Sequence, residues 1–292
     1  MPPINYEDFK KIEHILETMK TDTGVDTSIA VERSQKDATG TENLTGTENL
    51  TGTKDLTSTE IQPNNITNQL EKEQNAIPTE QLELLDVLDT QAVPTGEQKK
   101  RFEIHQEGLW HRSLHLWVVK DKHSVLFQRR SKKKDLEGGM VDVTVGGHFA
   151  AGETFIDVLR EAEEEIGLSL SPTDLHYLHT QKAERFYPNQ EHADRIDREF
   201  QEVYFCHCNQ TLSSYFLNPE EVDILYEVPL DAAIALYETG EPILAAGYDS
   251  QNRNNNAMLI EDDLIEQARA HTLQSLKAIK TILLEETETL TN

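Results

Sequence analysis

Cysteine is nearly absent from this sequence. Cys206 and Cys208 are its two cysteines, which is too few for a disulfide framework. Disulfides persist in oxidising compartments, so this composition favours a reducing one and we expect a cytoplasmic protein. The segment YFCHC, which holds both cysteines, alternates as a strand does. A Cys-His-Cys metal site through His207 is the less favoured alternative.

Long apolar runs and an excess of positive charge are also missing. No apolar stretch approaches the roughly 20 residues of a transmembrane helix, and the start lacks the basic region and apolar core of a signal peptide. The 53 Asp and Glu outnumber the 27 Lys and Arg, for a formal net charge of −26. Nucleic acids and anionic membranes bind through basic patches, so we expect neither as a partner. Oligomeric state is not predicted from these features.

Aromatic residues are missing between Phe9 and Phe102. The spacing of apolar residues in residues 5–20 predicts a short amphipathic helix. Three six-residue units follow later in the sequence, TGTENL, TGTENL and TGTKDL. Three copies without regular inward aliphatic residues are too few for a β-solenoid. A segment so poor in large apolar side chains cannot offset its ordering entropy. We predict a largely disordered extension at residues 1–80 and a folded domain at residues 81–292.

Strand-forming residues become dense after residue 81. Mixed strands flanked by helices predict an α/β fold, an α/β/α sandwich with a mixed sheet. HLWVV and SVLFQRR, separated by KDKH, predict a hairpin, and RFEIHQEG before them is also expected to be strand-like. Pro94-Thr95-Gly96 is expected to form a turn. Further strands are predicted at MVDVTV, DLHYLHT and EFQEVYFCHC, and helices at PLDAAIALYETG and at residues 261–284.

Residues 146–168, GGHFAAGETFIDVLREAEEEIGL, join a glycine-rich strand end to an acidic helix. Thr154 is the predicted N-cap, with Asp157 three residues later, and Gly167 is the predicted C-terminal stop. Apolar residues recur at helical intervals and should form one buried stripe. The members of this stripe are Phe155, Val158, Leu159, Ala162 and Ile166.

Three carboxylates share one face of that helix. Glu161, Glu164 and Glu165 stand at i, i+3 and i+4, where like charges repel each other. A hard divalent cation would neutralise them, and Mg²⁺ prefers carboxylate oxygens while keeping positions for water and substrate phosphate. Mn²⁺ is the alternative ion. Because Glu runs on helices are usually solvated faces, the neighbouring residues decide between these interpretations.

Those neighbours resemble the signature of the Nudix hydrolases. Arg160-Glu161-Ala162-x-Glu164-Glu165-x-Gly167-Leu168 reproduces the second half of the Nudix box, and Gly147-x5-Glu153 matches the start of its first half. Six residues separate Glu153 from Arg160, one fewer than in the family pattern. Either the loop before the helix is one residue shorter, or the helix begins one residue late.

The resemblance implies a fold and a set of roles. The fold would be a Nudix-type α/β/α sandwich. Mg²⁺ would be held by Glu161, Glu164 and Glu165, with a backbone oxygen from the Gly146 region. Arg160 would orient these carboxylates, and Glu164 would be the general base.

A narrower resemblance is to the Nudix proteins similar to isopentenyl-diphosphate isomerase. It is carried by residues 107–117, by Gln128-Arg129-Arg130 and by the lysine run 132–134. This subgroup usually has Trp-Pro-Gly where the chain has Leu136-Glu137-Gly138. The resemblance implies a metal site at His105, His111, His148, Asp197 and Glu199, and diphosphate contacts from Arg129, Arg130, Lys134, His111 and His148.

Three functions follow from these patterns. The leading hypothesis is an Mg²⁺-dependent hydrolase that cleaves the diphosphate of a nucleoside-diphosphate-type or other small organic substrate. The second is isopentenyl-diphosphate isomerisation, but the similar isomerases use a cysteine immediately before the Gly-His pair, where this chain has Gly146. The third is a ligand-binding sensor without catalysis, which the intact Glu164 and Glu165 disfavour.

Overall fold

The computed structural model of the chain describes residues 83–188 and 194–291. The predicted helix at residues 5–20, the repeats and the extension up to residue 80 lie outside these ranges, so the boundary at residues 80 and 81 stays a prediction. The strands of the described residues are β1 Leu84–Leu88, β2 Pro94–Lys100, β3 Trp110–Lys120, β4 Ser124–Arg130, β5 Val141–Asp142, β6 Val145–His148, β7 Leu175–Tyr187, β8 Arg195–His207, β9 Val222–Pro229, β10 Ile243–Asp249 and β11 Ala257–Leu259.

Five α-helices lie within the same ranges. The hydrophobic face of each of the longer ones packs on the sheet, as described below. None of the described helices combines the length and apolar character that a membrane crossing requires. Their bounds are α1 Arg101–Glu107, α2 Phe155–Val158, α3 Arg160–Ile166, α4 Leu230–Thr239 and α5 Arg269–Thr291.

Strand β3 is the centre of a mixed sheet. It runs parallel to β8 over ten residue pairs, from Trp110 opposite Arg198 to Val119 opposite His207. Along its other edge it pairs antiparallel with β6 and, further on, with β4. The sheet continues through β4, β9, β10 and β11 on one side and through β8 and β7 on the other. The predicted mixed sheet is confirmed.

Alternation along β3 supplies two hydrophobic layers. Leu116 and Val118 belong to a buried cluster with Ala162 of the acidic helix. Trp117 and Val119 point to the opposite face, where the cluster includes residues of α4 and α5 such as Leu276. Helices therefore cover both faces of the sheet, which confirms the predicted α/β/α sandwich.

The predicted hairpin, the strands at DLHYLHT and EFQEVYFCHC and the helix at PLDAAIALYETG are confirmed. MVDVTV is divided between β5 and β6, and the helix predicted at residues 261–284 begins at Arg269 instead. The strand-like interpretation of RFEIHQEG is wrong, since these residues form helix α1. The carboxylate of Glu103 accepts a hydrogen bond from the Lys100 backbone N–H at 3.0 Å, and Gly108 ends the helix with φ at +64°. These local caps outweigh the strand propensity of the apolar residues between them.

The turn predicted at Pro94-Thr95-Gly96 is also misplaced. These residues begin β2, and the reversal lies just before them. The Asp89 carboxylate accepts from the backbone N–H groups of Gln91 at 2.8 Å and Val93 at 3.0 Å. An aspartate side chain can replace a backbone carbonyl in a turn. The chain therefore reverses at residues 89–93, before Pro94.

The acidic helix begins and ends where the sequence predicts. Thr154 donates its hydroxyl and its backbone N–H to the Asp157 carboxylate, at 2.7 and 2.8 Å. Gly167 ends the helix with φ at +68°. Between these caps the helix is interrupted at Leu159, so that α2 and α3 are separate segments.

Gly167 and Gly152 provide a matched test of this helix end. Both have positive φ, but a Cβ on Gly167 would lie 2.9 Å from the Cβ of Phe216, whereas one on Gly152 would meet nothing within 4 Å. We expect Gly152→Ala to lower the free energy of unfolding by about 1–2 kcal/mol through backbone strain alone. Gly167→Ala should cost more because the clash adds to the strain. Urea unfolding of both variants measures this, and equal losses would contradict the close approach to Phe216.

Candidate functional site

The glycines of β6 bring the backbone against the acidic helix. In the register of β6 on β3, His148 lies opposite Ser113 and Gly146 opposite His115. A Cβ on Gly147 would lie 2.3 Å from two side-chain carbons of Glu161. A residue without a side chain is therefore required for Glu161 to occupy its position beside the strand.

Glu161, Glu164 and Glu165 all line one pocket of about 520 Å³. Glu165 is 4% exposed and accepts a hydrogen bond from the Gln128 side-chain amide at 3.1 Å, whereas the Glu164 side chain is 57% exposed. Burial raises the pKa of Glu161 to about 7, although the charge of Arg160 opposes this shift. Burial also raises the pKa of Glu165 well above its ordinary value. Burial therefore disfavours the ionised form of Glu161 and Glu165, and a cation bound between them would restore it.

Arg160 forms hydrogen bonds with carboxylates from both halves of the motif. Its Nε donates to Glu153 Oε1 at 2.7 Å, and its Nη1 donates to Glu161 Oε1 at 2.6 Å and to Glu164 Oε2 at 3.1 Å. The break at Leu159 lies in the interval that is one residue short. Glu153 reaches Arg160 across this interval.

A second cluster of ligand-type atoms lies in the same region. His105 comes from α1, His111 from β3, His148 from β6 and Asp197 from β8, and one ligand atom of each lies within 4.8 Å of the others. Asp197 Oδ1 is 3.6 Å from His105 Nε2 and 3.7 Å from His111 Nε2. Glu199 Oε1 is 3.2 Å from His148 Nε2. This group, with Glu199, is called the histidine cluster below.

The polar atoms of the histidine cluster fit a divalent cation. The Nε2 atoms of His105 and His111 and Asp197 Oδ1 are buried and lack a hydrogen-bond partner among the described residues, an arrangement that calls for an ion or a water. Burial lowers the pKa of His105 to about 3 and that of His148 well below its ordinary value. Neutral imidazole is the form that binds metals. His111 Nδ1 lies 3.2 Å from the Leu109 carbonyl, so a proton on Nδ1 leaves Nε2 with its lone pair.

A chain of buried amides holds Glu199. Gln201 Nε2 donates to Glu199 Oε2 at 2.6 Å, and Gln181 Nε2 donates to Gln201 Oε1 at 2.7 Å. His179 Nε2 lies 3.0 Å from Gln181 Oε1. Since Glu199 Oε2 is occupied by Gln201, its other oxygen is left to face the histidines.

The basic residues predicted to contact substrate divide between two environments. Arg130 and Lys134 line the pocket and pair with Asp142 at 3.1 Å and Glu221 at 2.5 Å. Arg129 is not among the pocket residues; its guanidinium donates to the Gly139 carbonyl at 2.8 Å and to Asp263 at 2.9 Å. The register of β4 on β9 shifts between Arg129 and Arg130, and Arg130 lines the pocket while Arg129 does not.

Several pocket residues escaped the sequence analysis. Arg185 Nη1 bridges Asp197 Oδ2 at 3.2 Å and Glu199 Oε2 at 3.7 Å, a contact set by the register of β7 on β8. His115 could have been found, because it lies two residues beyond Ser113 on the same face of β3. The others depend on contacts between distant segments. They include Glu83, Arg101, Asp142, Tyr187, Glu221 and Ile265.

The two cysteines lie away from this site. Cys206 is buried in the hydrophobic layer under the acidic helix, and burial raises the pKa of its thiol to about 12. Cys208 accepts a hydrogen bond from the Tyr215 hydroxyl at 3.3 Å. Since β8 runs through His207, the interpretation of YFCHC as a strand is confirmed.

Comparison with known proteins identifies the family. A profile of the NUDIX domain matches residues 109–250. An uncharacterized Nudix hydrolase of Clostridium acetobutylicum is 36% identical over 152 residues, which cover 51% of this chain and 71% of that protein. Nudix hydrolase 3 of Arabidopsis thaliana is 33% identical over 153 residues, 51% of this chain and 19% of the plant protein. An uncharacterized Nudix hydrolase of Nostoc sp. is 41% identical over 92 residues, 31% of this chain and 54% of that protein. The chain belongs to the Nudix hydrolase family.

Replacing Gln201 tests how Glu199 is held. Gln201→Met keeps the length of the side chain but removes the donor to Glu199, and losing such an outer partner typically weakens metal affinity by about 10–100-fold. We expect a loss of this size for Zn²⁺ or Mn²⁺, measured by titration calorimetry. Gln181→Met removes a bond one step further away and should have a smaller effect. Wild-type affinity in Gln201→Met, with an unchanged melting temperature, would show that Glu199 needs no such support.

Proposed function

We propose that this Nudix hydrolase cleaves a diphosphate linkage in a small organic substrate in an Mg²⁺-dependent reaction. The observation that supports this most directly is the convergence of Glu161, Glu164 and Glu165 on one pocket that also contains Arg130 and Lys134. Carboxylates bind Mg²⁺, and the positively charged Arg130 and Lys134 side chains bind phosphate oxygens. A pocket that contains both kinds of side chain can bind a metal–phosphate complex. The cytoplasmic location expected from the cysteines stays part of this proposal.

The residues of the acidic helix would have different roles in the reaction. Glu161, Glu164, Glu165 and a backbone oxygen at Gly146 would hold Mg²⁺. Bound there, the ion would lower the pKa of a water and neutralise charge on the phosphoryl oxygens. Arg160 would keep the carboxylates oriented through its bonds to Glu161 and Glu164.

Proton transfer and leaving-group departure complete the reaction. Glu164 is more exposed than Glu161 or Glu165, so it is open to the attacking water and would accept its proton. The water oxygen forms a bond to phosphorus as the bridging P–O bond breaks, and the electron pair leaves with the bridging oxygen. Arg130 and Lys134 would bind the phosphate oxygens.

The histidine cluster would bind a second cation. Sequence resemblance implied both a metal-ligand role and a substrate-contact role for His111 and His148. Their buried nitrogens face Asp197 and Glu199, which supports the role of metal ligands, together with His105. A nitrogen-rich set of this kind suits Zn²⁺ or Mn²⁺, whereas the glutamates suit Mg²⁺.

The runner-up function is isomerisation of isopentenyl diphosphate, which the histidine cluster favours. It needs proton-transfer groups on both sides of the substrate, and Gly146, a pocket residue, has no side chain to serve as one. Losing such a group typically costs about 10²–10⁴-fold in rate. Hydrolysis does not require it.

Charge-neutral substitutions on the acidic helix test the metal role. We expect Glu164→Gln and Glu165→Gln each to reduce kcat/KM by about 10²–10⁴-fold, with stability unchanged or slightly raised because like-charge repulsion is relieved. Glu163→Gln is the matched control: Glu163 is exposed on the same helix and is not a pocket residue, so activity should stay near wild type. Phosphate release from a diphosphate panel measures these effects. Wild-type activity after EDTA treatment would rule out the Mg²⁺-dependent reaction.

A single assay separates hydrolase from isomerase. Purified wild-type protein with Mg²⁺ should release phosphate or a monophosphate from a diphosphate substrate. It should produce no dimethylallyl diphosphate from isopentenyl diphosphate, because Gly146 cannot transfer a proton. Product analysis by chromatography distinguishes the two, and rapid interconversion of the prenyl isomers would replace the proposed function with the runner-up.

A further inference from the structure

A β-bulge in β7 determines the direction in which two polar side chains point. The pairing of β7 with β8 shifts between Tyr177 and His179, and a bulge adds a residue to one strand and re-aims the side chains that follow it. Regular alternation would point Tyr177 and His179 to the same face of the sheet. Because of the bulge, His179 lies opposite Val203 and shares the face that α5 covers. Gln181, two residues later, shares that face as well.

His179 is the outer end of the amide chain that holds Glu199. Its Nε2 lies 3.0 Å from Gln181 Oε1. Gln181 donates to Gln201 at 2.7 Å, and Gln201 donates to Glu199 at 2.6 Å. Both glutamines are buried, so an amide that turned the wrong way would leave buried polar atoms unpaired, which is costly.

The chemistry of Glu199 gives this chain one direction. A carboxylate oxygen only accepts hydrogen bonds, so Gln201 must turn its NH₂ group to Glu199 and its oxygen to Gln181. For the same reason Gln181 must turn its NH₂ group to Gln201 and its oxygen to His179. That oxygen needs a donor, so His179 carries a proton on Nε2.

Ser275 of α5 favours the same proton position on His179. The Ser275 hydroxyl donates to the backbone carbonyl of His271 at 3.0 Å, and a hydroxyl has a single proton to donate. Its lone pairs are left for His179 Nε2, which lies 3.5 Å away. The Nε2 atom therefore faces an acceptor on β7 and a second acceptor on α5, and both favour a proton there.

We propose that His179 is a positioning residue for the cation site at the histidine cluster. Its Nε2–H fixes the direction of both amides, so that Gln201 holds one oxygen of Glu199 and the other oxygen stays turned to the cation. This inference rests on the second cation of the proposed function. It extends the site to a residue that does not line the pocket and, through Ser275, to helix α5.

Zn²⁺ titration calorimetry in excess Mg²⁺, which occupies the glutamates, tests this role. His179→Phe keeps a ring but removes the Nε2–H. We expect it to weaken Zn²⁺ binding by about three- to tenfold, less than the roughly 10–100-fold that is typical for the loss of a direct partner of a ligand. His179→Gln places an amide N–H at a similar reach and should restore most of the affinity.

His176→Phe is the matched control. His176 lies on the same strand and stacks on Phe205 with ring centroids 4.6 Å apart, so its replacement should leave Zn²⁺ affinity at the wild-type value. Wild-type affinity in His179→Phe, or an equal loss in His179→Phe and His179→Gln, overturns the proposal.

A double-mutant cycle separates the amide chain from a general packing effect. In a Gln201→Met background the chain is already broken, so His179→Phe should cause no further loss of Zn²⁺ affinity. Substitutions that act independently have additive effects on the free energy of binding. Additive losses would therefore overturn the proposal.

NMR of the ring nitrogens measures the proton position directly, because the two neutral tautomers of histidine give different nitrogen signals. For the neutral form of His179 in the wild-type protein we expect the Nε2–H tautomer. The Nδ1–H tautomer overturns the proposal whatever the calorimetry shows. If the wild-type protein binds no Zn²⁺, the second cation of the proposed function fails. The nitrogen signals then decide whether His179 directs the amides to Glu199, with Nε2–H in support and Nδ1–H against.

Discussion

Repulsion among carboxylates is the constraint on which the rest of the site depends. Nine pocket residues are Asp or Glu and five are Arg or Lys, so the pocket wall is acidic overall. Burial raises the pKa of Glu161 to about 7 and that of Asp197 to about 6, with the charge of Glu199 adding to the shift of Asp197. The arginines reduce this repulsion locally, Arg160 at the helix and Arg185 at Asp197. Divalent cations are the natural remaining source of positive charge.

Strand β6 couples the two proposed cation sites. Its glycines lie against Glu161, and its last residue, His148, belongs to the histidine cluster. The pairing of His148 with Ser113 and of Gly146 with His115 sets how far apart the sites are. A slip of one residue would point His148 to the opposite face of the sheet and would separate it from Glu199. The hydrophobic layers that fix this register therefore also fix the chemistry.

Local and non-local features of the site differ in how far the sequence predicts them. The acidic helix is local: spacing alone predicted its caps and the shared face of Glu161, Glu164 and Glu165. The separation of Arg129 from Arg130 has no such local signal, because the pairing register shifts between them. Helix α1, which supplies His105, was missed because its N-terminal cap is a single side-chain contact from Glu103, which propensity does not show. Contacts across strands, such as Arg185 opposite Asp197, depend on register and have no local signal.

The loop at Leu136-Glu137-Gly138 is the place where the pocket wall departs from the isomerase-like sequence pattern. The isomerase-like subgroup usually has Trp-Pro-Gly there, so this chain has the smaller Leu136 side chain in place of an indole. Here Leu136 and Glu137 line the pocket instead, and Glu137 has a φ of +54°, a left-handed conformation that costs a residue with a side chain about 1–2 kcal/mol. A Cβ on Gly138 would lie 2.8 Å from the Lys134 carbonyl oxygen, so the turn leaves little freedom to relieve that strain. The loop therefore holds a carboxylate in the pocket wall at an energetic cost, and such a conformation persists only where the surrounding structure fixes it.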